Sequence, residues 1–268
     1  MKKFLLSSLK IGLGIFIAFC LLIVAVAIIS PDQASTLDSS TATPTADVPI
    51  EPEIRENTIE VDPNDASTWD EKGNEFYSLG KYKEAVQAYD KAIEIDPQSV
   101  GTLANKGSAL YSLGKYEEAI QAYDKAIEID SQNAAVWANK GSALSDLGKY
   151  EEAVQAFDKA IEINPQLSEA WHGKGLTLTN MGEYEKAIQA FDKAIEINPE
   201  YADAWYNKGT TLGRDLGKYE EAIQAFDKTI EINPQYSRAW YNKGMALDEL
   251  GRYEEAEACY RKAEDLTR

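Results

Sequence analysis

The sequence predicts an all-α protein, a solenoid of about six helix-turn-helix units, preceded by one transmembrane helix and a flexible stalk. Three observations lead there. Trp137, Trp171 and Trp205 recur every 34 residues, Trp69 lies two such intervals before Trp137, and Trp240 lies 35 beyond Trp205. Self-similarity at a period of this length marks stacked repeats. Within each period two blocks of helically spaced apolar residues flank a glycine: Gly80, Gly114, Gly148, Gly182, Gly217 and Gly251. Finally, residues 11–29 contain no charge.

Lys2, Lys3 and Lys10 precede the uncharged run from Ile11 to Ile29. Nineteen residues at a helical rise of about 1.5 Å span roughly 28 Å, close to the hydrocarbon thickness of a bilayer. Secretory signal peptides usually have a shorter apolar core, so residues 1–29 read as an uncleaved signal anchor. The alternative is cleavage near Ala25-Val26-Ala27, a small-x-small pattern that would release a secreted protein. Cys20 follows the bulky Phe19 and is a poor lipid-attachment site. Three lysines precede the span, whereas Ser30–Asp65 carries one arginine and nine acids. The positive-inside rule therefore places the N-terminus in the cytoplasm and the repeats outside it.

Residues 30–65 are acidic and rich in Ser, Thr and Pro, with few large apolar side chains. Such a segment buries too little surface to offset its ordering entropy, and it reads as a disordered spacer. Ile59–Asp65 matches the tail of the repeat and suggests a half-unit ahead of the first hairpin.

The repeats run 66–99, 100–133, 134–167, 168–201, 202–236 and 237–268. In each, the central glycine suits the left-handed residue that ends a helix. The acidic pair Glu117-Glu118 and its equivalents suit the positive end of the second helix. Pro97, Pro165, Pro199 and Pro234 stop that helix, with Ser131 at the matching place in the second unit. Gly73, Gly107, Gly141, Gly175, Gly209 and Gly244 are expected to face Ala85, Ala119, Ala153, Ala187, Ala222 and Ala256, so that the two helices approach closely. Tyr89, Tyr123, Phe157, Phe191, Phe226 and Tyr260 are expected to fill the space between units.

The pattern W-x-x-x-G…G-x-Y-x-x-A…F/Y-x-x-A…P, repeated over residues 66–268, resembles the tetratricopeptide repeat. The resemblance implies a right-handed superhelix whose first helices line a concave, protein-binding groove. Three departures stand out. Lys72, Lys106, Lys140, Lys174, Lys208 and Lys243 occupy a place where the family commonly has leucine, and their stems should pack while the ammonium groups reach water. The fifth unit has one extra residue within Leu212–Gly217, which predicts a local kink. The sixth unit has Glu257 and Glu264 where the others are apolar, which predicts a polar cap that completes the array. Cys259 stands at an alanine position and reads as a small packed thiol.

A net charge of −18 argues against nucleic acid and acidic membrane surfaces as partners. One histidine and two unrelated cysteines provide neither a metal site nor a disulfide framework. No catalytic constellation, phosphate loop, cofactor motif or small-molecule site is evident, so the chain reads as a binding protein and not an enzyme. By family geometry the groove would present Asn105, Asn139, Asn207 and Asn242, a file interrupted by Glu71 and Gly173. A carboxamide both donates and accepts, and can grip an extended peptide backbone whatever its side chains. Gly101, Ala104, Ser108, Ala135, Ala138 and Ser142 leave room around the earlier asparagines, while Tyr206 and Tyr241 make the later groove aromatic. His172 falls on the same face as an ordinary polar residue, and Arg238 is the one basic residue at its repeat position, too few for a carboxylate clamp. The expectation is a membrane-anchored scaffold that captures a peptide or protein partner outside the cytoplasm. The alternative is a secreted or cell-surface structural protein.

Overall fold

The computed structural model describes residues 63–268; the predicted anchor, and the stalk through residue 62, lie outside the described region. Six hairpins follow one another: α1 (Ala66–Ser78) with α2 (Tyr82–Ile95), α3 (Val100–Ser112) with α4 (Tyr116–Ile129), and α5 (Ala134–Asp146) with α6 (Tyr150–Ile163). Then come α7 (Ser168–Asn180) with α8 (Tyr184–Ile197), α9 (Ala202–Thr210) with α10 (Tyr219–Ile232), and α11 (Ser237–Glu249) with α12 (Tyr253–Asp265). A π-helical turn, Thr211–Asp215, extends α9. Among the described residues no helix is long and apolar enough to cross a membrane.

Each helix ends where its sequence says it should. The six inter-helix glycines have φ between 66° and 81°, a region that penalises any residue with a Cβ. The residue after each glycine closes the turn by donating to a carbonyl one turn back, as Lys149 does to Leu144 at 2.9 Å. In the fifth unit the extra residue enters the π turn, and Lys218 donates to the equivalent carbonyl of Leu212 at 2.8 Å. The insertion is therefore absorbed inside the turn, and α10 begins in register.

The small-residue seam differs from its expected form. A methyl placed on Gly175 would lie 2.5 Å from Cε1 of Phe191, and one on Gly107 would lie 2.4 Å from Cε1 of Tyr123. The glycines thus make room chiefly for the aromatic ring of their own hairpin, and the alanines fill the remaining core. Phe157 also reaches the next unit, lying as close as 2.5 Å to where a Cβ on Gly173 would stand. The ring occupies the space that an asparagine fills at the equivalent place in the second, third, fifth and sixth units.

Units are joined by a repeated polar seam. Trp137, Trp171, Trp205 and Trp240 donate their indole N–H groups to the carbonyls of Ser131, Pro165, Pro199 and Pro234 at 3.0–3.1 Å. Because the acceptor is a backbone oxygen, Ser131 serves as well as proline. The lysine ladder lies on this seam. Lys106, Lys140, Lys174, Lys208 and Lys243 pair at 2.5–2.6 Å with Asp90, Asp124, Asp158, Asp192 and Asp227 of the preceding unit. The ammonium groups of Lys140, Lys174, Lys208 and Lys243 also lie over tryptophan rings, 5.3–5.8 Å from their centroids. The predicted stem packing holds, but the charge clasps two units together. The carboxylates are half exposed, so each pair contributes little. Lys174→Ala should lower stability by about 1 kcal/mol, less at high salt. Urea unfolding at two ionic strengths would check it.

In the last unit Glu257 and Glu264 are exposed. Cys259 is buried among apolar residues, and burial raises its thiol pKa, in keeping with a packed and unreactive group.

Candidate functional site

The first helices α1, α3, α5 and α7 touch in succession, and side-chain hydrogen bonds join α7 to α9 and α9 to α11. Asn105, Asn139, Asn207 and Asn242 occupy equivalent half-buried places along it. The structure shows what each amide does. Asn105 donates to Oδ1 of Asn74 at 3.2 Å, and that oxygen also accepts from the Tyr89 hydroxyl at 2.8 Å. Asn207 Nδ2 lies 2.9 Å from Nε2 of His172, and Asn242 donates to the Tyr206 hydroxyl at 3.0 Å. Asn139 makes no side-chain hydrogen bond among the described residues. In the three engaged residues a side-chain N–H is turned toward the first helix of the preceding unit. The carbonyl oxygen has no donor within the described residues, and it remains available to a partner's backbone.

His172 is a structural member of the first-helix face. Its ring packs against Phe191 and Tyr201, with centroids 5.8 and 4.9 Å apart. Burial lowers its pKa from 6.5 to about 4, so the imidazole is neutral at ordinary pH. With Nε2 accepting from Asn207, the proton sits on Nδ1, which donates to the Tyr201 hydroxyl at 3.2 Å.

The two ends of the face are built differently. Asp65, Ser99 and Asn133 cap α1, α3 and α5, their side chains accepting from Ser67, Thr102 and Val136 backbone N–H groups. At the matching places α7, α9 and α11 have Leu167, Tyr201 and Tyr236, which make no side-chain cap. Losing such a cap costs about 1 kcal/mol. Tyr201 instead packs on His172, and Tyr236 stacks on Tyr206 with centroids 4.9 Å apart while donating to Asp203 at 2.7 Å. Burial, and then the Asp203 bond, push the Tyr236 hydroxyl pKa up and keep it a donor. The guanidinium of Arg238 lies 5.8 Å from the ring centroids of both Tyr206 and Tyr236. Tyr241 and Met245 follow on α11, each about half exposed.

Of the sequence-predicted site residues, Asn207, His172, Tyr206, Asn242 and Arg238 come together in one connected cluster. Tyr241 borders it, against Tyr260, and Asn105 and Asn139 extend the same face toward the first units. Sequence reasoning missed Asn74, Tyr201 and Tyr236. The signal for the two tyrosines was available: a capping position occupied by a residue that cannot cap. Among the described residues no group of three or more His, Cys, Asp or Glu side chains is placed to hold a metal ion.

Profiles described as TPR repeat match residues 73–114 and 107–148, and profiles described as tetratricopeptide repeat match 134–167, 168–201, 190–224 and 211–268. No curated protein matches the chain. Among solved structures, a crystal structure of MamA is similar at 30% identity and TM-score 0.56, covering 60% of this chain and 94% of that one. YrrB, described as a TPR protein with an unusual peptide-binding site, is similar at 28% identity and TM-score 0.53, covering 67% and 92%. PilF of Pseudomonas aeruginosa shares the fold at 23% identity and TM-score 0.64, covering 72% and 88%. With these profiles together spanning residues 73–268 and a solenoid of six helical hairpins, the chain belongs to the tetratricopeptide repeat family.

Proposed function

We propose that this protein is a membrane-anchored scaffold that holds an extended segment of another protein along its first-helix face. The observation that supports the proposal is the asparagine file, in which the carbonyl oxygens of Asn105, Asn139, Asn207 and Asn242 have no donor among the described residues. Carbonyl acceptors at repeat spacing suit the N–H groups of an extended backbone, which needs no particular side chains at those points. The likeness to YrrB, with its described peptide-binding site, supports the same reading.

A net backbone hydrogen bond contributes about 0.5–1.5 kcal/mol, so removing four should weaken binding at least tenfold. The test uses peptides enriched on the full-length protein from a random displayed library. The variant Asn105→Ala, Asn139→Ala, Asn207→Ala, Asn242→Ala should bind them at least tenfold more weakly, with its helical circular dichroism unchanged. Unchanged affinity would remove the asparagine file from the mechanism.

The anchor at residues 11–29 and the outward orientation rest on the uncharged run and its flanking lysines. Protease treatment of intact cells, wall-stripped or outer-membrane-permeabilised where needed, should remove a C-terminal tag while the N-terminal fragment stays in washed membranes. Survival of the tag until lysis would reverse the orientation. Recovery of a soluble chain beginning near Val26 or Ile28 would instead make the protein secreted and favour the structural alternative.

A further inference from the structure

The two halves of the groove face are not equivalent, and the difference identifies the peptide that fits. Resting on the peptide-groove reading above, we infer that α11 selects extended segments bearing an acidic side chain about three residues from an apolar one. Arg238 contacts the first, and Tyr241 with Met245 contacts the second.

Arg238 is exposed and makes no ion pair or hydrogen bond among the described residues, in a chain with 45 acidic residues. Most lysines of the array are paired by contrast, and the repeated seam occupies five of them. The guanidinium of Arg238 lies over two stacked tyrosines. A ring platform orients the planar cation and leaves its edge N–H groups free, the geometry that receives a carboxylate. Asp203, the nearby acid on α9, is engaged by the Tyr236 hydroxyl and is not paired with Arg238.

Beyond Arg238 on the same face stand Asn242 and then Met245, with Tyr241 beside them. Tyr241 is 53% and Met245 50% exposed, an apolar step on the first-helix face with none of the described residues covering it. In the other units this face is small or polar at the Met245 position: Asn74, Ser108, Ser142 and Thr210, with Leu176 partly buried. Arg238 and Met245 are separated by seven residues of helix, about 10 Å, which a segment that leaves the asparagine file and turns along α11 crosses in about three residues. Asn242 lies between them, and its carbonyl oxygen, with no donor among the described residues, can receive the intervening backbone. The surrendered cap at Tyr236 fits this account, since that tyrosine helps build the platform for the cation.

The test is panning a random 12-residue library on the full-length protein, with each peptide joined to its carrier through its C-terminus so that no α-carboxylate is presented. Wild-type protein should enrich sequences with Asp or Glu about three positions from Leu, Ile, Met or an aromatic residue. Arg238→Glu should bind the enriched peptide at least tenfold more weakly and, when panned itself, replace the acid with Lys or Arg. Tyr241→Ala with Met245→Ala should lose the apolar preference and keep the acidic one. Enrichment lacking the acid–apolar pair, or indifference to Arg238→Glu, would overturn this inference and leave the peptide-binding groove standing. No enrichment on the wild-type protein would overturn both.

Discussion

Phe191→Ala should destabilise the array by about 3–5 kcal/mol, the largest effect of any single truncation considered. The ring is fully buried, and it lies so close to Gly175 that no side chain fits there. It also supports His172, whose centroid is 5.8 Å away. Truncation removes the apolar transfer energy and leaves a cavity between two helices that cannot close without shifting both. Because units in a solenoid are stabilised by their neighbours, damage in the fourth hairpin also weakens the coupling of the third to the fifth. Urea unfolding should show the loss as a lower midpoint, with a broadened or split transition if the two ends uncouple. A loss below about 1 kcal/mol would mean that the ring–glycine contact is not a main determinant of the hairpin.

The second large effect is one of pH. The chain has a single histidine, held near pKa 4 by burial against an ordinary value of 6.5. Between those values the unfolded chain takes up a proton that the native state excludes, so stability falls as pH drops through this window and is unaffected above it. The loss from this group is about 2–3 kcal/mol near pH 4.5. His172→Gln removes the titration, and it should make stability flatter between pH 6.5 and 4.5 than in the wild type. Carboxylates common to both proteins cancel in the comparison. The lone imidazole resonance should report a pKa well below 6.5. A value at or above 6.5 would contradict the buried, neutral ring and the tautomer that gives Asn207 its partner.

Much of the fold was legible because local chemistry determines it. A glycine at positive φ, a proline after the second helix and a 34-residue beat each leave a mark in the sequence. What escaped depends on how units stack. Lys174 meets Asp158 sixteen residues earlier only when two hairpins dock, and a file of lysines alone does not show its partners. The glycine seam was recognised as a close approach but assigned to alanine, because spacing cannot say which side chain turns toward the missing Cβ. The extra residue of the fifth unit predicted a kink, and the choice of a π turn was settled by keeping the Lys218–Leu212 closure and the register of α10. In the site, the asparagine positions followed from the repeat. Their bonds to Asn74, His172 and Tyr206 did not, because each crosses between units.

The claim on which the functional account turns is that partners bind along the asparagine face. Amide and indole NMR resonances can be followed while a peptide enriched from the displayed library is added. The side-chain NH₂ signal of Asn139, free of internal bonds, should shift most among the four asparagines. The indole signals of Trp137, Trp171, Trp205 and Trp240, fixed on the seam between units, should stay in place. The opposite result is shifts at Trp171 and around Met181, in the cleft of about 850 Å³ lined by α6, α7 and α8, with the asparagine signals unmoved. It would move binding off the asparagine face and contradict the account.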